Sequence, residues 1–195
     1  MKPAGIILAA GLSNRMGCDK ATLAFRGSTF LNHLIGLLAP RVEPLVVVLG
    51  HNAESIQATI RPDSRVTVAV NPNFEQGMLS SLQAGIRALP AGTEAALFTL
   101  VDLPAVGGTT VDCLLQAFHT GNQLLTIPRC AGRRGHPVIA RREILGEIAA
   151  LPVAGSPKTV IRAHRPETAF ADVDDEGIFR DVDAPEDYEM LVREP

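Results

Sequence analysis

Short, uninterrupted apolar runs alternate with amphipathic segments over the first two thirds of this 195-residue chain. Wholly apolar runs are typical of strands that are buried on both faces, and parallel strands need long crossover connections, which are usually helices. The alternation therefore predicts an α/β fold, in which a mostly parallel sheet is covered by helices in a Rossmann-like three-layer αβα arrangement. The predicted strands are Ile6–Ala9, Leu45–Leu49, Val66–Val70, Ala95–Leu100 and Leu124–Ile127.

The predicted helices lie between these strands and after the last of them. They combine apolar residues at helical spacing with start or stop signals such as Pro40 at the end of the first helix. They cover Phe30–Ala39, a stretch from Ala53 to Ile60 with Asn52 as its N-cap, a stretch from Ser80 or Ser81 to Ala88, a stretch from Thr109 or Thr110 to His119, and Arg141–Ala149.

The last third of the chain departs from this alternation, and a small antiparallel region is predicted there. A glycine-containing turn favours one hairpin over residues 129–140. The acidic turn Asp174–Gly177 favours a final hairpin between Phe170–Val173 and Ile178–Asp181. A closing helix is expected to begin at Pro185, with Asp183 as its cap.

The first predicted strand leads into a loop that contains two glycines, Gly11 and Gly17, and two cations, Arg15 and Lys20. Backbone N–H groups in such a loop, together with fixed cations, can bind a polyanion such as a nucleoside triphosphate. The spacing excludes a P-loop, because Lys20 lies too far beyond the second glycine, and Ser13 excludes the dinucleotide-binding fingerprint. The alternative is a strand-to-helix turn with solvated charges. We favour the binding loop, since open α/β sheets bind ligands at the ends of central strands.

Polar residues also follow the third and fourth predicted strands. After the third strand, Asn71 and Gly77 are typical of a loop, and Ser80 and Ser81 offer hydroxyl and N–H groups at a predicted helix start. A capped helix alone would explain this segment, but its place at the end of a neighbouring strand would bring it close to the first loop. After the fourth strand, Asp102 is a carboxylate at the tip of an apolar strand, which is a common way to hold Mg²⁺; a helix or turn cap is the alternative.

Two further segments carry charge. His136 lies in a glycine-flanked hairpin with Arg133 and Arg134, so an anionic second substrate could bind there, although a lone histidine is more often structural. Near the end of the chain, Asp183 is expected to cap a helix, and the sequence leaves open whether its carboxylate also faces a metal.

Composition excludes several classes of protein. A net charge of -3, the absence of Trp and a single Tyr argue against a nucleic-acid-binding protein. The three cysteines and five histidines lack the spacing of a disulfide framework or a structural zinc site. No signal peptide precedes the first strand and no apolar run reaches the ~20 residues that span a bilayer, so we expect a cytoplasmic protein without membrane contact. No linker or repeat interrupts the chain, and a single domain is predicted over residues 1–195.

Five motifs follow one another over nearly the whole chain. The pattern L-A-A-G-x-S-x-R-M-G-x-x-K is matched by residues 8–20. The later motifs are G-M-x-x-S-L at Gly77–Leu82, D-x-P at Asp102–Pro104, G-H-P at Gly135–Pro137 and D-x-D-x-P-E-D at Asp181–Asp187. Together they resemble the molybdenum cofactor nucleotidyltransferases, which include cytidylyltransferases and guanylyltransferases. The resemblance implies a single nucleotidyltransferase domain with the fold of the nucleotide-diphospho-sugar transferases.

The resemblance also implies an activity: Mg²⁺-dependent transfer of CMP from CTP to the terminal phosphate of molybdopterin, with release of pyrophosphate and with Mn²⁺ as the alternative cation. The form Ala9-Ala10-Gly11 is similar to the cytidylyltransferase branch, and the alanine methyl would narrow the room for a purine. The implied catalytic residues are Arg15, Lys20 and Asp102. The implied nucleotide-binding residues are Leu8, Ala9, Ala10, Gly11, Arg15, Lys20, Asn71, Gly77, Met78, Ser80 and Ser81. The implied metal ligands are Asp102 and Asp183, and Arg134 and His136 would face the acceptor.

One segment departs from the family pattern. Family members often carry G-D-x-G-A-R in the tail, whereas this chain has Gly155–Arg162 without the acidic residue and the second glycine; Lys158 could supply a replacement cation. The departure leaves the acceptor open. The alternatives are a nucleotidyltransferase directed to GTP or to a sugar phosphate, and a non-catalytic carrier or insertion factor for a molybdenum hydroxylase, whose apoenzyme would then be a partner.

Overall fold

The structure, a computed structural model, describes residues 2–193, which form a mixed sheet, a two-stranded ribbon and helices on both faces of the sheet. The strands are β1 (Ala4–Ala9), β2 (Ala24–Phe25), β3 (Ser28–Thr29), β4 (Leu45–Leu49), β5 (Val66–Val70), β6 (Ala95–Leu100), β7 (Leu125–Cys130), β8 (Arg133–Arg134), β9 (Val138–Arg141) and β10 (Thr168–Asp172). The helices are α1 (Phe30–Leu38), α2 (Ala53–Gln57), α3 (Met78–Ala88), α4 (Gly108–Thr120), α5 (Arg142–Ala150), α6 (Pro157–Ala163) and α7 (Pro185–Arg193).

The strand order of the main sheet is β10-β7-β9-β6-β1-β4-β5, and β8 pairs with β7. Strand β1 is parallel to both of its neighbours, β4 and β6, whereas β9 is antiparallel to β6 and β7. The chain builds β4 and β5 on one side of β1 and then crosses over to build β6 on the other side. Such a reversal opens a crevice for ligands at the carboxyl ends of the strands. The predicted α/β fold with a mostly parallel sheet is confirmed.

Two apolar clusters hold the helices against the sheet. Successive side chains of β1 point to opposite faces, so Ile7 and Ala9 belong to the cluster with α1, α2, α4 and α7. Ile6 and Leu8 belong to the cluster with α3, α5 and α6. Gly85 lets α3 approach the sheet closely, because a Cβ there would lie 2.7 Å from Ile6 Cγ2. Burial of both faces explains why the sequence of β1 is an apolar run.

Most predicted strands are confirmed. Those at residues 45–49, 66–70 and 95–100 have the predicted bounds, and β1 begins earlier than predicted, at Ala4. The hairpin predicted over residues 129–140 is present, although its return strands are divided: β8 pairs with β7, and β9 pairs with both β7 and β6. None of the described helices is both long and apolar enough to cross a bilayer.

The predicted final hairpin is wrong. Residues 168–172 form β10, which pairs in parallel with β7, and residues 178–181 form no strand. The acidic segment between them contacts the start of α4 and does not close a hairpin. The Asp175 carboxylate accepts hydrogen bonds there from Gly107 N and from the Thr110 hydroxyl. Asp175 therefore caps the start of a helix that lies far from it in sequence.

Asn52 occupies the predicted N-cap position of α2, but its side chain does not cap the helix, and the predicted cap at Asp183 is wrong. Asn52 has a left-handed φ of 50°, and its side-chain amide donates to Asp19 rather than capping α2. At α7 the Asp187 carboxylate accepts hydrogen bonds from the N–H groups of Asp183 and Ala184. The side chains of Asn52 and Asp183 are turned instead toward the loop that follows β1.

Candidate active site

A cavity of about 460 Å³ opens at the carboxyl ends of β1 and β6. Its walls come from the loop after β1, the segment that joins β5 to α3, the end of β6 and the segment before α7. The sequence-predicted site residues that line it are Leu8, Ala9, Ala10, Gly11, Arg15, Lys20, Gly77, Met78, Ser81, Asp102 and Asp183. The cavity therefore lies at the reversal of strand order, where an α/β sheet is expected to bind its ligand.

The loop after β1 is folded around Ser13. The Ser13 carbonyl accepts hydrogen bonds from the N–H groups of Met16 and Gly17, at 3.0 and 3.2 Å. The Ser13 hydroxyl accepts a hydrogen bond from the N–H of Lys20 at 3.3 Å. Gly17 has a φ of 70°, a conformation that favours glycine. These contacts explain the serine and the second glycine of the loop, and they set the backbone position of Lys20.

Asp19 fastens this loop to the loop after β4. Its Oδ2 accepts a hydrogen bond from Asn52 Nδ2 at 3.0 Å, and its Oδ1 lies 3.4 Å from His51 Nδ1. Gly50 permits the close approach of the two loops, because a Cβ at this position would lie 2.7 Å from the carbonyl oxygen of Ala10. The neighbouring strand thus supports the loop next to Lys20.

Two cations and two carboxylates meet in the cavity. The Lys20 ammonium lies 2.5 Å from Asp183 Oδ1 and 3.3 Å from Asp102 Oδ2, so it bridges the two carboxylates. Arg15 Nη2 lies 3.0 Å from Asp183 Oδ2. The backbone brings the carboxylates together, since Val182 N donates a hydrogen bond to the Asp102 carbonyl at 2.9 Å. The Lys20 side chain is 12% exposed and the Arg15 side chain 74%, so the lysine is enclosed and the arginine faces solvent.

The two carboxylates have different electrostatic surroundings. Burial raises the pKa of the Asp102 carboxyl, and the Lys20 ammonium opposes that shift. The hydrogen bond from Lys20 lowers the pKa of Asp183, and the charge of Arg15 lowers it further. Asp183 is therefore held in its ionised form, while the charge of Asp102 is costly unless a cation lies beside it.

The oxygen atoms of Asp102 and Asp183 suit a hard divalent cation. Asp102 Oδ1 is buried and has no hydrogen-bond partner within residues 2–193, which is unusual for a buried polar atom. Groups of three or more His, Cys, Asp or Glu side chains that could hold a metal do not occur in the described part of the chain. The protein can thus offer two carboxylates, and phosphate oxygens and water would complete the coordination.

Helix α3 begins after Gly77, and not at Ser80 or Ser81 as the sequence predicted. Gly77 adopts a φ of 94°, which turns the chain into the helix. Asn71 Nδ2 donates hydrogen bonds to the hydroxyls of Ser80 and Ser81, at 2.9 and 3.1 Å, and the Ser80 hydroxyl lies 2.8 Å from the Gly77 carbonyl oxygen. Ser81 lines the cavity, whereas Asn71 and Ser80 do not; they support the first turn of the helix.

His136 and Arg134 lie outside the cavity lining. His136 precedes β9, and the pairing of Val138 with Phe98 puts it beside the end of β6. Burial lowers the pKa of His136, the backbone of Phe98 partly opposes that shift, and the charge of Lys158 adds to it. The Nδ1 atom of His136 is buried and has no hydrogen-bond partner among the described residues. Arg134 is exposed on β8, so the structure does not bring these two side chains into the charged cluster.

Several cavity residues were not identified from the sequence, among them Ile56, Phe74 and Glu75. Phe74 is an aromatic residue in an otherwise polar loop, and this contrast could have marked it as a residue of the binding site. Ile56 of α2 reaches the cavity because the loop after β4 folds against the loop after β1, and no local pattern marks this contact. Asp19 was part of a recognised motif, but its link to Asn52 depends on a neighbouring strand.

Residues 5–168 match the sequence profile of a family described as MobA-like NTP transferase domain. The matched span runs from β1 to the first residue of β10. It contains all of the cavity residues except Asp183.

The similar proteins include both molybdenum cofactor cytidylyltransferases and molybdenum cofactor guanylyltransferases. The molybdenum cofactor cytidylyltransferase of Escherichia coli (strain K12) is 26% identical over 183 residues, which cover 94% of this chain and 92% of that protein. The molybdenum cofactor guanylyltransferase of Cereibacter sphaeroides (strain ATCC 17029 / ATH 2.4.9) is 30% identical over 200 residues, which cover 99% of this chain and 98% of that protein.

Solved structures share the fold over nearly the full length. The crystal structure of Rv0371c from Mycobacterium tuberculosis H37Rv has a TM-score of 0.84 and 26% identity, and the match covers 99% of this chain and 98% of that one. The structure of Rv0371c in complex with manganese has a TM-score of 0.81 and 23% identity, with complete coverage of both chains.

Proposed function

Because this chain belongs to the family of MobA-like NTP transferase domains, we propose that it transfers CMP from CTP to the terminal phosphate of molybdopterin and releases pyrophosphate. The observation that carries the proposal is the meeting of Arg15, Lys20, Asp102 and Asp183 in one cavity. The cations and the backbone N–H groups of the loop suit a triphosphate, and the carboxylates suit the cation that accompanies a triphosphate. The names of the similar proteins support molybdopterin as the acceptor.

The reaction is an in-line displacement at the α-phosphorus of the nucleotide. An oxygen of the acceptor phosphate forms a new P–O bond there, and the bond to the β-phosphate oxygen breaks as pyrophosphate leaves. Since the acceptor phosphate is already an anion, no strong general base is required. Arg15, Lys20 and the N–H groups of residues 11–17 bind and orient the triphosphate and offset the charge that develops on it.

Asp102 and Asp183 would hold the divalent cation, which we propose to be Mg²⁺, with Mn²⁺ as the alternative. Bound there, such a cation supplies positive charge to the phosphate oxygens. The unpartnered Oδ1 of Asp102 supports this assignment. Rv0371c, whose fold this chain shares, was solved as a manganese complex, which agrees with a divalent cation at this fold.

The choice of CTP over GTP depends on the residues at the end of β1 and just after it. Ala9, Ala10 and Gly11 all line the cavity. An alanine at position 10 leaves less room for a purine than a glycine would, and the hydroxyl of Ser81 adds a polar group for a base. The name of the relative from Escherichia coli agrees with a cytidylyl group, and the name of the relative from Cereibacter sphaeroides makes GTP the competing substrate.

The acceptor is proposed to bind on the side of the cavity where β6 ends. His136 lies beside that end with a buried, unpartnered Nδ1 that could bond an acceptor group. Lys158 acts on His136 through its positive charge and could attract an anionic acceptor, and Arg134 adds a further cation on β8. A molybdenum hydroxylase apoenzyme that receives the product is the proposed protein partner.

Release of pyrophosphate measures the proposed reaction directly. The purified protein would be given CTP or GTP, Mg²⁺, and either molybdopterin or a sugar phosphate. We expect Mg²⁺-dependent release with CTP and molybdopterin, and about tenfold slower release with GTP, a ratio typical of a pocket that discriminates by shape. The Ala10→Gly variant should narrow that ratio, whereas Ala91→Gly, an exposed change outside the cavity lining, should leave it unaltered.

Each result that contradicts the proposal points to a different alternative. Faster release with GTP would overturn the choice of base, and release with a sugar phosphate but not with molybdopterin would overturn the acceptor. Binding of CTP without release under any of these conditions would contradict an enzyme and favour a carrier.

A further inference from the structure

Lys20 occupies the place between the two carboxylates that the proposed function assigns to a divalent cation. Its Nζ lies 2.5 Å from Asp183 Oδ1 and 3.3 Å from Asp102 Oδ2, and its side chain is largely enclosed. An ammonium group at these distances neutralises the same oxygen atoms that a divalent cation would need as ligands. The two carboxylates cannot pair fully with the Lys20 ammonium and coordinate a divalent cation at the same time.

Both carboxylates of this cluster are already paired with cations. Asp102 and Asp183 carry negative charges that are matched by those of Arg15 and Lys20. Asp181 adds a further negative charge that acts on Asp102, but carboxylates already paired with cations attract a bare divalent cation less strongly than free ones, and Mg²⁺ in particular gives up its water reluctantly. A triphosphate changes this balance, because it offers the two cations anionic oxygen atoms of its own.

We propose that Lys20 is a placeholder for the divalent cation. In the nucleotide-free protein it holds Asp102 and Asp183 together, and it releases them when a triphosphate draws its ammonium group away. Nucleotide and divalent cation should therefore bind with strong positive coupling, each raising the affinity for the other. The identity of that nucleotide rests on the proposed function, whereas the position of Lys20 between the carboxylates does not.

Arg15 has a different position in the cluster. It contacts Asp183 from the solvent side, and its side chain is 74% exposed. Its charge is therefore screened by water, and its ion pair is with Asp183 and not with Asp102. Lys20 is the cation that touches both carboxylates, so its removal should have the larger effect on metal affinity.

Binding of Mn²⁺ in the absence of nucleotide tests the placeholder, because electron paramagnetic resonance measures free Mn²⁺ without any turnover. The Lys20→Met variant should bind Mn²⁺ about tenfold more tightly than the wild type, since it removes the competing charge and keeps the length of the side chain. Lys20→Arg, which keeps the charge, should stay close to the wild type. Lys2→Met removes a lysine that contacts Pro40, away from the cavity, and should also have no effect.

Further variants separate the possible outcomes. Thermal unfolding checks that each variant is folded, and Lys20→Gln replaces Lys20→Met if the latter is not. The gain should disappear when Asp102→Asn is added to Lys20→Met, because a ligand of the ion is then lost. Equal affinity of the wild type and Lys20→Met, or a gain that survives Asp102→Asn, would overturn the placeholder.

Mn²⁺ binding measured in the presence of nucleotide distinguishes this inference from the proposed function. CTP itself binds Mn²⁺ in solution, so a protein-free mixture of CTP and Mn²⁺ gives the background. Beyond that background, addition of CTP should tighten Mn²⁺ binding to the wild-type protein by about tenfold or more, as removal of the competing charge does. If neither CTP nor GTP had this effect while Lys20→Met still gained affinity, the proposed nucleotide substrate would be contradicted and the placeholder role of Lys20 would stand.

Discussion

Asp102 is the residue whose surroundings are hardest to explain without a ligand. Its Oδ1 is buried and unpartnered among the described residues, and burial raises the pKa of its carboxyl group. Asp175 provides the contrast, because its carboxylate accepts hydrogen bonds from Gly107, Gly177 and Thr110. The hydrogen bonds of Asp175 account for its presence in the sequence, whereas Asp102 has capacity left for a cation.

The Asp102→Asn variant should lose activity while it keeps its stability. Loss of a charged group that acts on a phosphoryl site costs about 10²–10³-fold in rate, so pyrophosphate release should fall by that factor. The thermal midpoint should stay within about 2 °C of the wild type, because the substitution preserves shape and removes a charge that is costly to bury. Asp112→Asn, which alters an exposed ion pair with Arg41, is the matched control and should keep full activity. Near-normal turnover of Asp102→Asn would refute its assigned role.

Among the secondary-structure elements, helix α5 and the segment after α6 are joined by His164. Its Nδ1 lies 2.7 Å from Glu167 Oε2, and its Nε2 lies 2.9 Å from Glu147 Oε1. The hydrogen bond with Glu167, followed by the one with Glu147, raises the pKa of His164 above its ordinary value of 6.5. Folding therefore favours the protonated imidazole. The stabilisation is complete below pH 6.5 and is lost as the pH rises through the raised pKa.

The His164→Gln variant should show a stability defect that depends on pH. At about pH 6 the thermal midpoint should fall by about 2–4 °C, since two partly exposed pairs are worth about 1 kcal/mol after screening. At high pH, above the raised pKa, the imidazole of the wild type is neutral and the defect should nearly disappear. Glu143→Gln removes a charge from α5 outside this bridge and should give no such pH dependence. An equal defect at both pH values would show that the imidazole acts by packing and not by charge.

Elements that depend on local pattern could be predicted from the sequence, and elements that depend on distant partners could not. The strands at residues 45–49 and 95–100 were predicted with their bounds because burial on both faces leaves a nearly continuous apolar run. The strand at residues 66–70 lies at the edge of the sheet and is partly exposed, and its β-branched residues were the signal that marked it. The start of α3 was misplaced because it follows a positive φ at Gly77, and serines are equally suited to the first turn. The final hairpin was predicted wrongly because Asp175 bonds α4 instead of closing a turn.

At the scale of the whole molecule, the crossover between β5 and β6 gathers the candidate site from distant parts of the chain. The charged residues after β1 and at the end of β6 could be identified in advance, because their chemical type and their place at strand ends are local properties. The sequence could not decide whether Asp183 joins them. The structure decides it through the hydrogen bond between Val182 N and the Asp102 carbonyl, a contact that only the folded chain creates.

The central claim is that the loop after β1 binds a triphosphate together with a divalent cation. Thermal unfolding with CTP, GTP, ATP and UTP, with and without Mg²⁺, tests it most directly in the wild type and in Lys20→Ala. We predict that CTP with Mg²⁺ raises the midpoint most, by roughly 5–10 °C at a hundredfold excess over Kd, or about 2.7 kcal/mol. Lys20→Ala should abolish most of that shift. A panel in which no nucleotide moves the midpoint, or in which Lys20→Ala responds like the wild type, would contradict the account.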